Sequence, residues 1–341
     1  MIEVENLVKR YGDYLAVDHL SFQVEPGKIY GFLGPNGAGK STTMNIMTGY
    51  IAATEGSVRI NGHDIVKDAE EAKKCIGYLP EIPPLYLDMT VNEYLKFAAG
   101  LKRLPKTDWK KQIDEVMELT MISDISGRLI KNLSKGYKQR VGLAQAVLGY
   151  PDIIILDEPT VGLDPKQIIE IRDLIKKLGE KHTVILSSHI LSEVQAVCDE
   201  IMILSKGRLV ACDTPEGLAG LKKGSARIEL TLSGTEKKAK TVLETLPGIQ
   251  EYHFEQSSEA GCIRILLETE ANKDIRKELF YALAEKKLPI MSMNRMEKSL
   301  EDIFLTLTDD EEEEAENQNE QAESAAEAEG EEGGKSDGGD L

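Results

Sequence analysis

The segment that most constrains the fold of this chain is the glycine-rich octapeptide Gly34-Pro35-Asn36-Gly37-Ala38-Gly39-Lys40-Ser41. It fits the pattern G-x-x-x-x-G-K-[ST], in which glycines let backbone N–H groups turn inward around phosphate oxygens. Residues 28–33 before it are typical of a short buried strand, and residues 42–49 after it are typical of a helix that ends at a glycine. A strand, a loop and a helix N-terminus in this order form an anion site, because the positive end of the helix dipole adds to the attraction. The alternative is a chance glycine-rich turn, which this context does not favour.

Two side chains of the loop indicate a nucleoside triphosphate as the bound anion. Lys40 is expected to reach the β- and γ-phosphates as a point charge, and the Ser41 hydroxyl is expected to ligate Mg²⁺. The sequence therefore predicts a P-loop nucleotide site within an α/β fold.

The negative charge of the chain is concentrated at one end. The net charge is −18 over 341 residues, but residues 309–341 alone carry fifteen acids and one base. Residues 1–308 are left with a net charge of −4, so the body lacks the basic signature of a nucleic-acid-binding protein. The acidic end has almost no large apolar residue, which predicts a disordered tail. Such a tail either makes the protein more soluble or tethers a basic partner.

The cysteine pattern and the absence of a targeting or membrane-spanning segment indicate a cytoplasmic chain. Its four cysteines, Cys75, Cys198, Cys212 and Cys262, are far apart and form no C-x-x-C pair, which predicts reduced, packed thiols. No signal peptide opens the sequence, and no apolar run reaches the ~18–20 residues that span a bilayer. We therefore expect a cytoplasmic chain that does not cross a membrane by itself.

Hydrophobic patterns outline the first two-thirds of the chain. Alternation in residues 1–31 and 56–62 predicts antiparallel strands, whereas the continuous apolar runs Ile153–Leu156 and Thr183–Leu186 predict central parallel strands. The charge-rich stretch from about Asn92 to Ile125 has helical spacing. Further amphipathic helices are predicted at Gln167–Leu178 and Leu191–Cys198.

A second unit is predicted to begin near Ala226, with elements in the order β-α-β-β-α-β. These elements are strand Ile228–Leu232, helix Lys237–Leu246, strands Ile249–Phe254 and Cys262–Glu268, helix Asp274–Lys286 and strand Ile290–Asn294. A last helix is predicted at Leu300–Leu307, before the tail.

Paired acids follow the apolar run 153–156. A carboxylate at the tip of such a strand can hold Mg²⁺ or its water shell, the role predicted for Asp157. The next carboxylate, Glu158, can polarise the attacking water as a general base. A merely solvated strand end does not explain four apolar residues that lead into two acids.

Two weaker signals lie on either side of these acids. Ser134 and Gly136 stand before a predicted helix, where they form either a second anion site or an ordinary serine N-cap. His189 follows the apolar run 183–186, at the strand end where α/β proteins bind ligands, although a lone histidine is more often structural.

Taken together, these motifs resemble the ATP-binding subunits of ABC transporters over roughly residues 1–220. Residues Gly34 to Thr42, which include Asn36, Gly37, Ala38 and Gly39, correspond to the Walker A motif, and Asp157-Glu158 corresponds to Walker B. Glu81 falls at the Q-loop, Leu133–Tyr137 at the LSGGQ signature, Gly162-Leu163-Asp164 at the D-loop and His189 at the switch histidine. Tyr11 is similar to the aromatic residue that stacks on adenine, although a tyrosine in a turn is otherwise unremarkable.

Two positions depart from the family pattern. Glu81 replaces the Q-loop glutamine and adds a negative charge, although it can still face Mg²⁺ or water. The signature reads LSKGY, which leaves Ser134 and Gly136 in place to touch phosphate. Both departures, and the segment Lys298–Phe304, resemble ATPases that serve ABC-2-type exporters.

The resemblance implies a P-loop cassette at 1–220 with an antiparallel β-subdomain and a helical subdomain at about 82–150. A small α/β domain at 225–308 and the tail at 309–341 follow. It implies ATP and Mg²⁺ as ligands, catalysis by Lys40, Glu158 and His189, and Mg²⁺ coordination by Ser41, Glu81 and Asp157.

The resemblance also implies partners. Two cassettes, identical or different, would sandwich ATP between one P-loop and the opposite chain's Ser134, Gly136 and Asp164. A separate membrane permease would hold the pair at the cytoplasmic face of the membrane. The rival interpretation is a soluble ABC ATPase that acts on a ribosome or nucleic acid, but the chain has a single cassette and no basic arm. A nucleotide-binding regulator without activity is disfavoured because Lys40, Asp157, Glu158 and His189 are all present.

Overall fold

The computed structural model describes residues 1–221, 227–257, 259, 261–269 and 274–296. The chain divides into two compact units, Met1–Pro215 and Glu216–Leu341. The predicted helix Leu300–Leu307 and the predicted acidic tail lie outside the described residues.

The first unit contains two sheets and seven α-helices within its bounds, besides two short 3-10 helices at Ser123–Ile125 and Ile130–Asn132. Its strands are β1 (Ile2–Tyr11), β2 (Tyr14–Val24), β3 (Ile29–Leu33), β4 (Glu55–Ile60), β5 (His63–Asp64), β6 (Ile76–Leu79), β7 (Ile153–Leu156), β8 (Thr183–Ser188), β9 (Glu200–Ser205) and β10 (Arg208–Asp213). Its helices are α1 (Lys40–Met47), α2 (Ala69–Lys74), α3 (Val91–Leu101), α4 (Trp109–Leu119), α5 (Lys135–Val147), α6 (Pro165–Gly179) and α7 (Leu191–Gln195). A further helix, α8 (Pro215–Leu221), spans the boundary between the units in the sequence.

A six-stranded sheet in the order β10-β9-β3-β8-β7-β6 forms the centre of this unit. The pairs β9–β3, β3–β8, β8–β7 and β7–β6 are parallel, and only the edge strand β10 pairs in the antiparallel sense with its neighbour. All four residues of β7 are fully buried, as the continuous apolar run predicts for a strand covered on both faces. The predicted central parallel strands are therefore confirmed.

The alternating segments form the second sheet, in the order β2-β1-β4-β5, with antiparallel pairing throughout. Inward side chains such as Val4, Leu20 and Val58 pack in the same hydrophobic core as Phe32 from the central sheet. The predicted antiparallel β-subdomain is confirmed. Its position beside β3 places the turn between β1 and β2 close to the P-loop.

The helical stretch predicted from Asn92 to Ile125 is interrupted. The structure has α3 and α4, with a break at residues 102–108 between them. Pro105 has no N–H to continue a helix, and Arg103 has a φ of 54°, in the left-handed region. The predicted helix Leu191–Cys198 is also shorter, because α7 ends at Gln195.

The C-terminal unit has the predicted β-α-β-β-α-β order. Its elements are β11 (Arg227–Ser233), α9 (Glu236–Leu243), β12 (Ile249–Gln256), β13 (Cys262–Thr269), α10 (Arg276–Glu285) and β14 (Ile290–Met296). The strands form an antiparallel sheet in the order β12-β13-β11-β14. Leu230 and Ile265 of the sheet and Val242 and Leu279 of the helices share one buried core, which confirms a small α/β domain.

All four cysteines are free, as expected, but they are not all packed. Cys198 is buried, whereas Cys212 is exposed because it lies on the edge strand β10. No helix among the described residues is long and apolar enough to cross a membrane.

A half-buried lysine holds the C-terminal end of α5. The Lys102 ammonium donates hydrogen bonds to the carbonyls of Ala146 at 3.0 Å and Leu148 at 2.5 Å. These carbonyls lie at a helix end that leaves its acceptors unsatisfied, so Lys102 caps α5 from the end of α3. Burial lowers the pKa of Lys102 to about 8.

We expect this lysine to make stability depend on alkaline pH. Between pH 8 and the ordinary lysine pKa of 10.5, the unfolded chain binds the proton and the folded chain does not, so stability rises with pH. Relative to Lys102→Met, the wild type should gain up to about 3 kcal/mol of unfolding free energy from pH 7 to pH 10. Urea unfolding at both pH values measures this difference, and Lys181→Met, at an exposed lysine, is the control. Equal pH dependence in wild type and Lys102→Met would contradict the assignment.

Candidate active site

The glycine-rich loop leaves β3 and enters α1 with its glycines in conformations that other residues rarely adopt. Gly37 has a φ of 87° and Gly39, the N-cap of α1, has a φ of 96°. A Cβ on Gly39 would lie 2.6 Å from the carbonyl oxygen of Ala16, so the β1–β2 region packs directly on the loop. A Cβ on Gly34 would lie 2.4 Å from the carbonyl oxygen of Leu204. Glycine is thus required here both by conformation and by close backbone packing.

The Lys40 side chain lies folded over this loop and is only 6% exposed. Its ammonium donates to the carbonyl oxygens of Gly34 at 2.8 Å and Pro35 at 3.1 Å. Its nitrogen lies 3.9 Å from Oε1 of Glu158. Burial lowers the pKa of Lys40, while the carboxylates of Glu158 and Asp157 oppose that shift. A cation is therefore held at the loop with weak carbonyl acceptors that an anionic ligand can replace.

Asp157 lies at the carboxyl end of β7, within reach of two hydroxyl groups. Ser41 at the start of α1 donates to Asp157 Oδ1 at 3.1 Å, and Ser187 at the end of β8 donates to the same oxygen at 2.6 Å. The Ser187 hydroxyl also accepts the backbone N–H of Glu158 at 2.8 Å. These contacts follow from the parallel pairing of β7 with β8, which aligns the ends of both strands.

Glu158 is buried in a strained conformation next to a histidine. Its φ of 47° is in the left-handed region, which is uncommon for a residue with a side chain. Its Oε2 lies 3.1 Å from Nδ1 of His189, which follows β8 directly. Burial raises the pKa of the Glu158 carboxyl group, while His189 and Lys40 oppose that shift. A carboxylate with a raised pKa is a better proton acceptor than an exposed one.

A cavity of about 350 Å³ lies in front of the loop. Its lining comprises Tyr11, Tyr14, Ala16, Asn36, Gly37, Ala38, Gly39, Lys40, Ser41, Thr42, Glu81, Glu158, Val161 and His189. Eleven of these residues are predicted site residues, so one cavity brings together segments from widely separated parts of the sequence. Gly34 and Asp157 do not line this cavity but contact Lys40 and Ser41, which do.

Tyr14 is a lining residue that the sequence analysis did not identify. Its hydroxyl donates to the carbonyl of Gly37 at 3.4 Å, whereas the predicted Tyr11 is half exposed with the Lys9 ammonium 5.1 Å from its ring centroid. Both tyrosines flank the turn between β1 and β2. A second tyrosine beside this turn is visible in the sequence, but only the packing of the turn on the P-loop shows that it lines the cavity.

The three residues predicted to serve an opposite chain lie away from this cavity. The Ser134 hydroxyl caps α5 by accepting the N–H of Tyr137 at 3.4 Å, and the Asp164 carboxylate caps α6 by accepting the N–H of Gln167 at 2.9 Å. A Cβ on Gly136 would lie 2.5 Å from the side-chain oxygen of Gln167, so α5 and α6 meet closely at this glycine. The N-terminal ends of α5 and α6 therefore form a separate surface from the P-loop cavity.

The cavity provides oxygen ligands of the kind that Mg²⁺ prefers. Ser41 and Glu81 line the cavity, and Asp157 Oδ1 lies just outside it, 3.1 Å from Ser41 Oγ. No cluster of three or more potential metal-ligating side chains occurs among the described residues. This set fits a cation that keeps several waters and shares phosphate oxygens, rather than one held by a protein cage.

Comparison with known proteins identifies the family to which this chain belongs. Residues 17–161 match the family model described as ABC transporter. The chain is 37% identical over 310 residues to the bacitracin transport ATP-binding protein BcrA of Bacillus licheniformis, with 90% of this chain and 97% of that protein covered. The chain belongs to the ATP-binding proteins of ABC transporters.

Two further comparisons agree with this membership. The linearmycin resistance ATP-binding protein LnrL of Bacillus subtilis is 31% identical over 309 residues, with 90% of this chain and 98% of that protein covered. The dimeric post-hydrolysis structure of the cassette MJ0796, bound to ADP and Pi, superposes with a TM-score of 0.57 at 26% identity. That likeness covers 63% of this chain and 98% of the MJ0796 chain. The chain is an ABC ATPase that binds ATP.

Proposed function

We propose that this ABC ATPase powers a separate membrane permease, of the ABC-2 exporter type, with Mg²⁺-ATP as its substrate. The observation that carries the hydrolytic part is the convergence of Lys40, Ser41, Asp157, Glu158 and His189 at one edge of the parallel sheet. The transport part is supported by relatives named for bacitracin transport and linearmycin resistance, which match this chain over 90% of its length.

The proposed nucleotide contacts follow from the geometry of the loop. The phosphates lie along the backbone of residues 36–42 at the N-terminus of α1, and Lys40 exchanges its carbonyl acceptors for phosphate oxygens. The exposed ring of Tyr11 stacks on adenine. Ser41, Asp157 and Glu81 would hold Mg²⁺ directly or through water, and the ion would offset the negative charge of the phosphates.

Hydrolysis then depends on the pair formed by Glu158 and His189. The Glu158 carboxylate accepts a proton from water as the water oxygen forms its bond to the γ-phosphorus. The bond between that phosphorus and the leaving oxygen of ADP breaks, and ADP and phosphate are the products. His189 orients the carboxylate through the 3.1 Å contact. Lys40 and the helix N-terminus stabilise the charge on the transferred group.

Glu158→Gln should retain ATP binding and lose hydrolysis. The amide keeps the size of the side chain but cannot accept the proton, so the single-turnover rate should fall by roughly 10²-fold or more. Rapid-quench hydrolysis and fluorescent ATP binding measure the two effects separately. Asp114→Asn, which alters an exposed carboxylate on α4, is the control. A wild-type single-turnover rate in Glu158→Gln would remove this residue from the role of base.

We further propose that two cassettes, identical or different, close around ATP. The Ser134, Gly136 and Asp164 surface is outside the chain's own cavity, so its phosphate contacts require the opposite chain. The dimeric MJ0796 structure with ADP and Pi supports this arrangement by resemblance. ATP binding then brings the chains together, and product release lets them separate.

Ser134→Asp tests this arrangement with little change to the helix. Aspartate is as good an N-cap as serine, but its charge should repel a phosphate supplied by the opposite chain. We expect ATP affinity of the monomer to remain within about threefold while ATP-dependent dimerisation is lost. Ser134→Asn is the neutral control. Dimers that combine Ser134→Asp with Lys40→Ala should regain one complete site, as measured by analytical ultracentrifugation. Loss of nucleotide binding by the Ser134→Asp monomer would contradict an arrangement in trans.

The permease is proposed to dock in a groove of about 800 Å³ beside the active site. Tyr50 and Ile82 line this groove and are 79% and 83% exposed. Ser41, Glu81 and Asp157 also line it, so the groove reaches the proposed Mg²⁺ ligands. A segment of a membrane subunit seated here would sense nucleotide through Glu81 and would hold the ATPase at the cytoplasmic face of the membrane.

Replacing Tyr50 and Ile82 together by alanine should uncouple the ATPase from its permease. Basal hydrolysis should stay within about twofold, because neither side chain lines the P-loop cavity. Stimulation by the co-expressed, reconstituted permease should fall about tenfold or more. Val66→Ala removes an equally exposed apolar side chain, at 70%, outside the groove and is the control. Unchanged stimulation would place the permease elsewhere, and ATPase stimulation by ribosomes or nucleic acid instead would favour the rival class.

A further inference from the structure

A buried carboxylate behind the active site is not used by the proposed mechanism. Glu193 lies in α7, four residues after His189 in the sequence, and is only 6% exposed. It forms no ion pair with any basic residue in the described part of the chain. Burial of a carboxylate without a cation costs free energy unless hydrogen bonds compensate it.

Two hydroxyl groups supply that compensation. The Thr160 hydroxyl donates to Glu193 Oε2, and the Ser188 hydroxyl donates to the same oxygen at 3.3 Å. Both hydroxyl residues are themselves buried. Ser188 also accepts the backbone N–H of Ile190 at 3.0 Å, so its side chain is fixed on both sides.

The two hydroxyl groups that donate to Glu193 lie next to the proposed catalytic residues in the sequence. Thr160 comes two residues after Glu158, at the start of the loop that continues to Asp164. Ser188 comes directly before His189. Glu193 therefore joins the loop that carries the proposed base to the loop that carries the histidine, from behind the 3.1 Å contact between them.

The helix that carries Glu193 has little freedom to move. A Cβ on Gly31 of β3 would lie 2.1 Å from the side chain of Val194, so α7 packs directly on the backbone of the strand that leads into the P-loop. Because α7 is fixed against β3, the Glu193 carboxylate can hold the loops of Thr160 and Ser188 at a constant position relative to the P-loop.

We propose that Glu193 is a positioning residue, which fixes the distance between Glu158 and His189 by holding Thr160 and Ser188 together. It does not touch the nucleotide, since it does not line the P-loop cavity. This inference rests on the proposed roles of Glu158 and His189. Misplacement of catalytic groups by about 1 Å can cost on the order of 10²-fold in rate, so the effect should appear in kcat rather than in ATP affinity.

The experiment uses the full chain and compares three single substitutions, at Glu193 and Thr160, with one double variant. Glu193→Ala should lower kcat by about 10- to 100-fold and leave the Kd for ATP within about threefold. Glu193→Gln keeps an oxygen that accepts both hydroxyl groups, so its kcat should stay within about threefold of wild type. Thr160→Val removes one donor and should lower kcat in the same direction. The double variant Glu193→Ala/Thr160→Val should be no slower than Glu193→Ala alone, because both changes break one interaction.

Two controls separate positioning from loss of structure and from failure of the proposed mechanism. Val58→Ala, a change on β4 in the buried core, should lower the melting temperature with no change in kcat at a temperature where the protein is folded. Glu158→Gln, measured in parallel, tests the proposed base itself.

The proposal is overturned if Glu158→Gln is inactive while Glu193→Ala keeps a wild-type kcat. It is also overturned if Glu193→Gln is as slow as Glu193→Ala, or if the effects of Glu193→Ala and Thr160→Val multiply. An active Glu158→Gln would instead remove the mechanism on which the proposal rests.

Discussion

Parallel pairing of three neighbouring strands is the constraint on which the site depends. In the order β3-β8-β7, each strand runs in the same direction, so Leu33, Ser188 and Leu156 end at one edge of the sheet. The P-loop, the histidine and the paired acids follow these three ends in the sequence. Groups more than a hundred residues apart therefore meet without any long loop, in the place where open α/β sheets bind ligands.

Burial at that edge of the sheet disfavours the charged forms of both Lys40 and Glu158. Lys40 and Glu158 are both nearly inaccessible, and desolvation moves both pKa values toward the neutral forms. Each group opposes the shift of the other through a separation of 3.9 Å. A bound polyanion changes this balance, since it gives Lys40 stronger acceptors than the two carbonyls and removes part of the attraction that Glu158 feels. The site is thus arranged so that ligand charge, rather than a rearranged fold, determines which groups Lys40 contacts.

The sequence predicts the site residues that lie at strand ends. It does not predict the residues whose position depends on tertiary packing. Asp157, Glu158 and His189 were predictable because each lies within three residues of the end of an apolar run, and the sheet then aligns those ends. Tyr14 was not, because the orientation of a turn residue depends on how the β1–β2 region packs on Gly39. Glu193 was missed because a glutamate on a short amphipathic helix normally faces solvent, and only tertiary contacts bury this one. Likewise, helical spacing from 92 to 125 hid a break that Pro105 and the left-handed Arg103 impose.

The contacts of Lys135 explain why a lysine can stand in the signature segment, away from the P-loop cavity. Lys135 stands at the first position of α5, where a positive charge is unfavourable for the helix dipole. Its nitrogen lies over Gly162, where a Cβ would be only 2.1 Å away, and Gly162 has a φ of 71° that glycine tolerates. The signature segment and the D-loop are therefore complementary in shape. Gly162 in the D-loop has no side chain, and this leaves room for the long side chain of Lys135. Gly136, the next residue of α5, repeats that complementarity against the side chain of Gln167 on α6. Both contacts lie at helix starts, since α5 follows Ser134 and α6 follows Asp164 directly. The N-terminal ends of α5 and α6, which carry the surface proposed to meet an opposite chain, are thus packed against each other through two glycine contacts.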